Sequence, residues 1–173
     1  AELSALMTLL LKTISIEVKE LHKKNVRFTT IGELEMLPKS TRRGILDGVE
    51  LTKDNTGLNL CLALNYGSRQ EMVSAVRTIA GKVKEGNLEL NEIDETFFSE
   101  SLSTANMPDP DLLIRTSGEC RLSNFLLWQC AYTEIFMTPI YWPAFREEAL
   151  MEAISNYQTR ERRFGKVSEQ VNN

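Results

Sequence analysis

Histidine is almost absent from this chain: His22 is the only one in 173 residues. It falls in a charged stretch, Glu17 to Asn25, and reads as a surface residue, so histidine acid–base catalysis is disfavoured. Cysteine is scarce too. Cys61, Cys120 and Cys130 have no metal-ligand spacing, and their odd number argues against a disulfide framework. Reduced thiols in a cytosolic protein are the simplest reading. No apolar run is long enough to span a bilayer, and no secretory leader, low-complexity segment or internal repeat is visible. Positive charge is not in excess: 20 Lys and Arg stand against 24 Asp and Glu, a net charge of −4. A general nucleic-acid binder is therefore disfavoured, although a local basic site for a small anion is not.

What is present is ordinary for a globular protein. Hydrophobic residues make up 42% and charged residues 25%, enough for one domain with a real core. The chain opens inside a helical pattern, with Leu3, Leu6, Met7, Leu10, Ile14, Val18 and Leu21 on one stripe and Leu9, Leu11 and Ile16 widening it. Core packing explains such a stripe; a wall facing a lipid-like ligand and an interfacial membrane helix over Leu3–Leu21 are the alternatives. Val26 to Ile31 predicts a strand ended by Gly32. Pro38-Lys39-Ser40 leads into a helix with Ile45, Leu46 and Val49 on one face. Asp54 to Gly57 is turn chemistry, and Leu58 to Leu64 predicts a strand buried on both faces. Asn65-Tyr66-Gly67-Ser68 then forms a polar loop before a helix with Met72, Val73, Val76, Ile79 and Val83 inward. Asn91 to Leu102 reads as a short helix or a pair of turns, and a last helix turns Phe145, Leu150, Ala153, Ile154 and Tyr157 inward. Strands alternating with helices imply an α/β fold with a mainly parallel sheet of about four strands, few for this architecture.

The chemistry concentrates between Pro108 and Pro139. Asp111 to Ile114 is a short apolar strand closed by Arg115. Thr116 to Glu119 is a turn, and Arg121 and Ser123 follow, with Ser123 placed to N-cap a helix from about Asn124. Two arginines, a hydroxyl, a glycine loop and a helix start at the C-terminal end of a strand suit a phosphate or diphosphate. The bland alternative is that Arg115 and Arg121 pair with Glu119 and other surface acids. Glu134, placed near the end of an apolar helix and before Ile135-Phe136-Met137, reads by itself as a surface or salt-bridged carboxylate. Arg160, Arg162 and Arg163 read as a solvated helix end. Asn65 and Arg69 sit at the C-terminal end of a strand but serve equally well as turn and helix-start residues.

The stretch Asp111 to Trp128, DLLIRTSGECRLSNFLLW, resembles the cis-prenyltransferases, on their bacterial undecaprenyl diphosphate synthase branch. NTGLNLCLALNY at Asn55 to Tyr66, the corner Trp142-Pro143-Ala144-Phe145 and RERRFG at Arg160 to Gly165 agree. The resemblance runs from Glu2 to about Gly165, which marks 1–165 as the prenyltransferase domain and 166–173 as a polar tail.

That resemblance implies condensation of isopentenyl diphosphate with an allylic diphosphate, usually farnesyl diphosphate, to build a long polyprenyl diphosphate with new cis double bonds. In bacteria such a product supplies the lipid carrier for cell-wall glycans. It further implies a parallel sheet flanked by helices, a tunnel for the product, a homodimer, Mg²⁺ as cofactor, and a cytoplasmic enzyme that meets the membrane through its lipid product. Arg115, Arg121 and Ser123 match the positions that hold the diphosphate of isopentenyl diphosphate. Glu134 matches an acidic residue that helps place Mg²⁺. Arg163 and Gly165 match an Arg-x-Gly motif that reaches across the dimer toward the partner's diphosphate site. The family's Asp-Gly-Asn-Gly-Arg-Trp segment, with its metal-binding Asp, and its Ser/Thr-Glu-Asn-Trp segment do not occur in these residues. The expectation is an N-terminally incomplete fold, and a 173-residue polypeptide that is inactive by itself. The other classes are a non-catalytic partner subunit of the same family and a generic phosphate- or nucleotide-binding module.

Overall fold

The computed structural model describes residues 2–161. They fall into two compact units, divided after Thr104.

The first unit begins with α1, Glu2–Lys23, followed by β1, Arg27–Ile31, and α2, Lys39–Thr52. Then come β2, Asn59–Ala63, α3, Ser68–Lys84, and the short α4, Glu95–Glu100, whose start is capped by the Asp94 carboxylate accepting from the Phe97 N–H. Strands β1 and β2 pair in parallel from Arg27↔Asn59 to Ile31↔Ala63. The core is the meeting of α1, α2 and β1: Ile14 and Val18 pack with Phe28 and Ile45, with Val49, Leu62 and Leu64 partly buried around them. The helical stripe expected in the first segment is thus core at Ile14 and Val18, while Leu9 and Ile16 are exposed. Buried Thr52 locks α2 to β1. Its Oγ1 accepts from the Phe28 N–H at 3.0 Å and donates to the Gly48 carbonyl at 3.0 Å. This satisfies a strand-edge amide that burial would otherwise strand without water.

Three sequence expectations fail in this unit. Leu46 is exposed, because α2 turns Thr41, Ile45, Gly48 and Thr52 inward. On α3 the buried positions are Ala75 and Ile79, whereas Val73 and Val76 face out. Strand β2 is not buried on both faces: Leu58 and Leu60 are exposed, since among the described residues β2 has a single neighbour, β1. Continuous apolar runs signal burial only when a sheet has neighbours on both edges and covers on both faces.

The second unit holds β3, Leu112–Arg115, β4, Glu134–Met137, and α5, Glu147–Gln158. The strands pair in parallel from Leu112↔Glu134 to Arg115↔Met137. Thr133 Oγ1 donates to the Pro110 carbonyl at 2.6 Å, fixing the register at its entry. A short 3-10 turn, Trp142–Ala144, precedes α5, and the Trp142 and Phe145 rings stack 6.2 Å apart. Helix α5 buries Ala149 and Ala153 and leaves Leu150 exposed, against expectation. The four expected strands are present and parallel, but as two ladders of two.

Candidate functional site

The C-terminal end of β3 carries Arg115, and the loop after it is tied down by backbone bonds. The Ser117 N–H donates to the Ile140 carbonyl at 2.9 Å, the Gly118 N–H to Thr138 at 2.9 Å, and the Thr138 N–H to Arg115 at 2.9 Å. Ser117 and Gly118 both take the left-handed conformation, φ 67° and 68°, which glycine adopts without strain and serine tolerates less well. These two amides are spent on carbonyls. The loop is rigid, but at these positions it offers no free N–H to an anion.

The anion-binding capacity lies in the side chains. The Nε of Arg115 is buried and has no hydrogen-bond partner among the described residues. A buried charged donor without an acceptor is costly, so this position suits an incoming oxyanion. Arg121 is largely exposed, 68%, and forms an ion pair with Glu119, 37% exposed. The bland pairing weighed from the sequence therefore holds for Arg121, whereas among the described residues the Nε of Arg115 has no acceptor.

Ser123 does not cap a helix. Ser123, Asn124 and Leu126 all have positive φ, at 50°, 62° and 46°, and residues 122–132 form successive turns. Only isolated bonds survive, such as Cys130 N–H to Leu126 at 2.8 Å and Ala131 N–H to Trp128 at 3.3 Å. Left-handed residues interrupt the run of i→i−4 bonds that a helix needs. The expected helix from Asn124, and the positive N-terminus it would have aimed at a phosphate, are therefore not part of the site. Within these turns Cys130 is half-buried, and burial, with the nearby Asp109 carboxylate, pushes its thiol pKa up despite a hydrogen bond with Thr133.

Glu134 opens β4 and is not near a helix end. The ladder register places it opposite Leu112, at the other end from Arg115. Those ends are three residue steps apart, about 10 Å at ~3.3 Å per residue, and the alternation of side chains puts Glu134 and Arg115 on opposite faces. The structure thus does not bring Glu134 to the Arg115 end of its own unit. Its partner is Arg160, which the sequence assigned to a solvated helix end. The Arg160 Nη1 lies 2.8 Å from Glu134 Oε2, with side chains 30% and 28% exposed. The reach of Arg160 to β4 was not legible in the sequence.

In the first unit, Asn65 sits just past the C-terminal end of β2 in the left-handed conformation, φ 49°. Its amide donates to the Glu33 carbonyl at 3.3 Å, and its own carbonyl accepts from the Glu33 N–H at 3.3 Å. Arg69 lies in the first turn of α3. Arg163 and Gly165 lie outside the described residues. Among the described residues no group of three or more His, Cys, Asp or Glu side chains could hold a metal ion, and no helix is long and apolar enough to cross a membrane.

Comparison with known proteins identifies the family. Residues 1–165 match the prenyltransferase family model described as "Putative undecaprenyl diphosphate synthase". The chain is 53% identical over 164 residues to a ditrans,polycis-undecaprenyl-diphosphate synthase, (2E,6E)-farnesyl-diphosphate specific, of Micrococcus luteus. It is 50% identical over 166 residues to an isoprenyl transferase of Clostridium perfringens. It aligns over 95% and 96% of its own length and spans 66% of the length of each relative. Among solved structures, lavandulyl diphosphate synthase from Lavandula x intermedia, in complex with dimethylallyl diphosphate, superposes with a TM-score of 0.93 at 40% identity. The match covers 95% of this chain and 72% of that one. A probable undecaprenyl diphosphate synthase from Campylobacter jejuni gives 0.82 at 34% identity, over 95% of this chain and 75% of that one. An α/β chain with parallel strands, matched over 165 residues by one family model, belongs to the undecaprenyl diphosphate synthase family of prenyltransferases.

Proposed function

We propose that residues 1–165 are the larger part of one catalytic domain of a cis-prenyl chain-elongating enzyme. It adds isopentenyl diphosphate units to farnesyl diphosphate and releases a long polyprenyl diphosphate of the undecaprenyl type, as the specificity of the Micrococcus luteus relative supports. The enzyme works in the cytoplasm, meets the membrane through its lipid product and feeds cell-wall synthesis. The observation that carries this reading is Arg115: a buried Nε without a partner, at the C-terminal end of a parallel strand, on a loop held rigid by three backbone bonds. A diphosphate oxygen supplies the missing acceptor, and Arg matches such oxygens with a fixed fork of donors. Arg121 and Ser123 follow on the same loop, and the Glu119 carboxylate holds the Arg121 guanidinium until an anion with more charge replaces it.

Mg²⁺ fits Glu134. This cation takes one or two carboxylates and completes its shell with phosphate oxygens and water, so it needs no cluster of acids. Oε1 of Glu134 is engaged by no described residue, while Oε2 is committed to Arg160. When bound, the ion would neutralise charge on the departing diphosphate. The departing diphosphate is that of the allylic substrate, distinct from the isopentenyl diphosphate assigned to Arg115, so the metal role does not require Glu134 at the Arg115 end of the ladder. The enzyme acts as a homodimer, in which Arg163 and Gly165 would reach toward the partner's diphosphate site. Asn65 and Arg69, at the C-terminal end of β2 and the start of α3, are further candidates for binding a substrate diphosphate.

The test uses the complete enzyme with labelled isopentenyl diphosphate, farnesyl diphosphate and Mg²⁺. Arg121→Ala should raise the KM for isopentenyl diphosphate by an amount equivalent to about 1.5–3 kcal/mol, the worth of a hydrogen bond to a charged group. A wild-type KM would remove Arg121 from the site. Absence of any chain elongation by the unsubstituted enzyme would instead favour a non-catalytic partner subunit.

A further inference from the structure

The Arg160 guanidinium makes four hydrogen bonds. Nη1 donates to Glu134 Oε2 at 2.8 Å and to the Ile135 carbonyl at 3.0 Å; Nε and Nη2 donate to Asn156 Oδ1 at 3.0 and 2.7 Å. Asn156 lies in the last turn of α5 and Arg160 just beyond the end of that helix, so the acceptor for Nε and Nη2 is built into the helix that precedes Arg160. That grip leaves Nη1 as the arm that reaches β4. The backbone of Glu134 is fixed independently, by its N–H on the Asp111 carbonyl at 3.1 Å and by the Thr133–Pro110 bond beside it. The carboxylate therefore has one oxygen clamped on a rigid fork, and the other is left to a cation.

We infer that Arg160, held by Asn156, is a positioning residue for Glu134. The inference rests on the proposed metal role of Glu134. Groups that orient a metal-binding carboxylate act through geometry, and here the geometry has to outweigh a charge effect of opposite sign. A cation beside Glu134 reduces the pull of that carboxylate on Mg²⁺. If Arg160 served only to fasten α5 to β4, removing it would leave metal affinity unchanged or raise it. If it orients the carboxylate, removing it lowers the affinity. Lysine keeps the charge but has a single nitrogen, which cannot hold Asn156 Oδ1, the Ile135 carbonyl and Glu134 together.

The experiment measures Mn²⁺ binding, as a stand-in for Mg²⁺, by electron paramagnetic resonance on the complete enzyme with isopentenyl diphosphate present and no allylic substrate. Glu134→Gln and Arg160→Lys should each weaken Mn²⁺ binding by ~10–100-fold, the usual cost of disturbing a metal ligand's support. The double variant should bind no more weakly than Glu134→Gln alone, because both changes act through one carboxylate. In steady state Arg160→Lys should lower kcat, with the KM for isopentenyl diphosphate within about twofold of wild type, because only the positioned metal contact is lost. Thermal melting of each variant reports folding. If Arg160→Lys does not fold, Asn156→Ala, which keeps the charge and frees the fork, carries the same test with a loss of at least ~3-fold, a smaller disturbance of the same support. Unchanged or tighter Mn²⁺ binding in Arg160→Lys, or additive losses in the double variant, overturns the inference. If Glu134→Gln also binds normally, the metal role of Glu134 falls with it; if Glu134→Gln alone is weakened, that role stands and only the positioning role of Arg160 is lost.

Discussion

Arg115 and Arg121 sit on one loop and have different fates. Arg115 has a buried Nε without a partner among the described residues, whereas Arg121 is exposed and already paired with Glu119. Arg115→Ala should therefore cost more isopentenyl diphosphate binding than Arg121→Ala, since a desolvated site amplifies the loss of a charge-assisted bond. Equal KM values in the two variants would contradict this. Thiol chemistry differs by residue as well. Cys120 is exposed, while burial raises the pKa of Cys130. The thiolate is the reactive form, so maleimide labelling near pH 8 should modify Cys120 first, and Cys130 should need more alkaline conditions. Mass mapping of partly labelled protein that finds Cys130 ahead of Cys120 would refute it. Thr52→Val keeps the shape but strands the buried Phe28 N–H, at a cost of about 1–3 kcal/mol. Thr52→Ser should recover most of that stability, as measured by urea unfolding. The identities of Arg115, Arg121 and Glu119 were plain in the sequence, and so was their choice between diphosphate and ion pair. Which arginine took which partner depended on burial, which no motif records.

Among the elements, the regular ones were legible and the irregular one was not. Helices α1, α2, α3 and α5 and all four strands follow from apolar periodicity, turn residues and flanking Pro or Gly. The stretch after Ser123 has an N-cap residue and an apolar run, yet it folds as turns, because Ser123, Asn124 and Leu126 are left-handed. Propensity is a weak prior that tertiary context overrides. Faces were misassigned on α2, α3 and α5 for a related reason: several apolar residues lie on each helix, and only the neighbouring layers choose among them. The end of β1 offers a test at this scale. Gly32 has φ +101°, and a Cβ there would lie 2.1 Å from the Leu64 carbonyl oxygen. Gly86 also has positive φ, +73°, but open space around it. Gly86→Ala should cost only the left-handed penalty, about 1–2 kcal/mol, and Gly32→Ala should cost clearly more, because the Leu64 turn must also move. Equal urea midpoints for the two variants would dispose of this steric account.

For the whole molecule, the single family match over residues 1–165 and the 66% of relatives' length that the chain spans frame one prediction. These residues contain Arg115, Arg121, Ser123 and Glu134 but neither the Asp-Gly-Asn-Gly-Arg-Trp nor the Ser/Thr-Glu-Asn-Trp segment. The 173-residue polypeptide by itself, given isopentenyl diphosphate, farnesyl diphosphate and Mg²⁺, should yield no elongated product on thin-layer chromatography. A ladder of labelled prenyl products would sink that expectation. By itself, the sequence determined the α/β class, the parallel pairing of strands, the free cysteines and the family. These rest on local periodicity and on a long specific motif, which are properties of neighbouring residues. Only the tertiary structure decided that Glu134 stands at the end of its ladder away from Arg115 and that Arg160 holds it. Register across a parallel pair and a contact spanning 26 residues are set by packing between elements, and nothing in the order of residues along the chain encodes them directly.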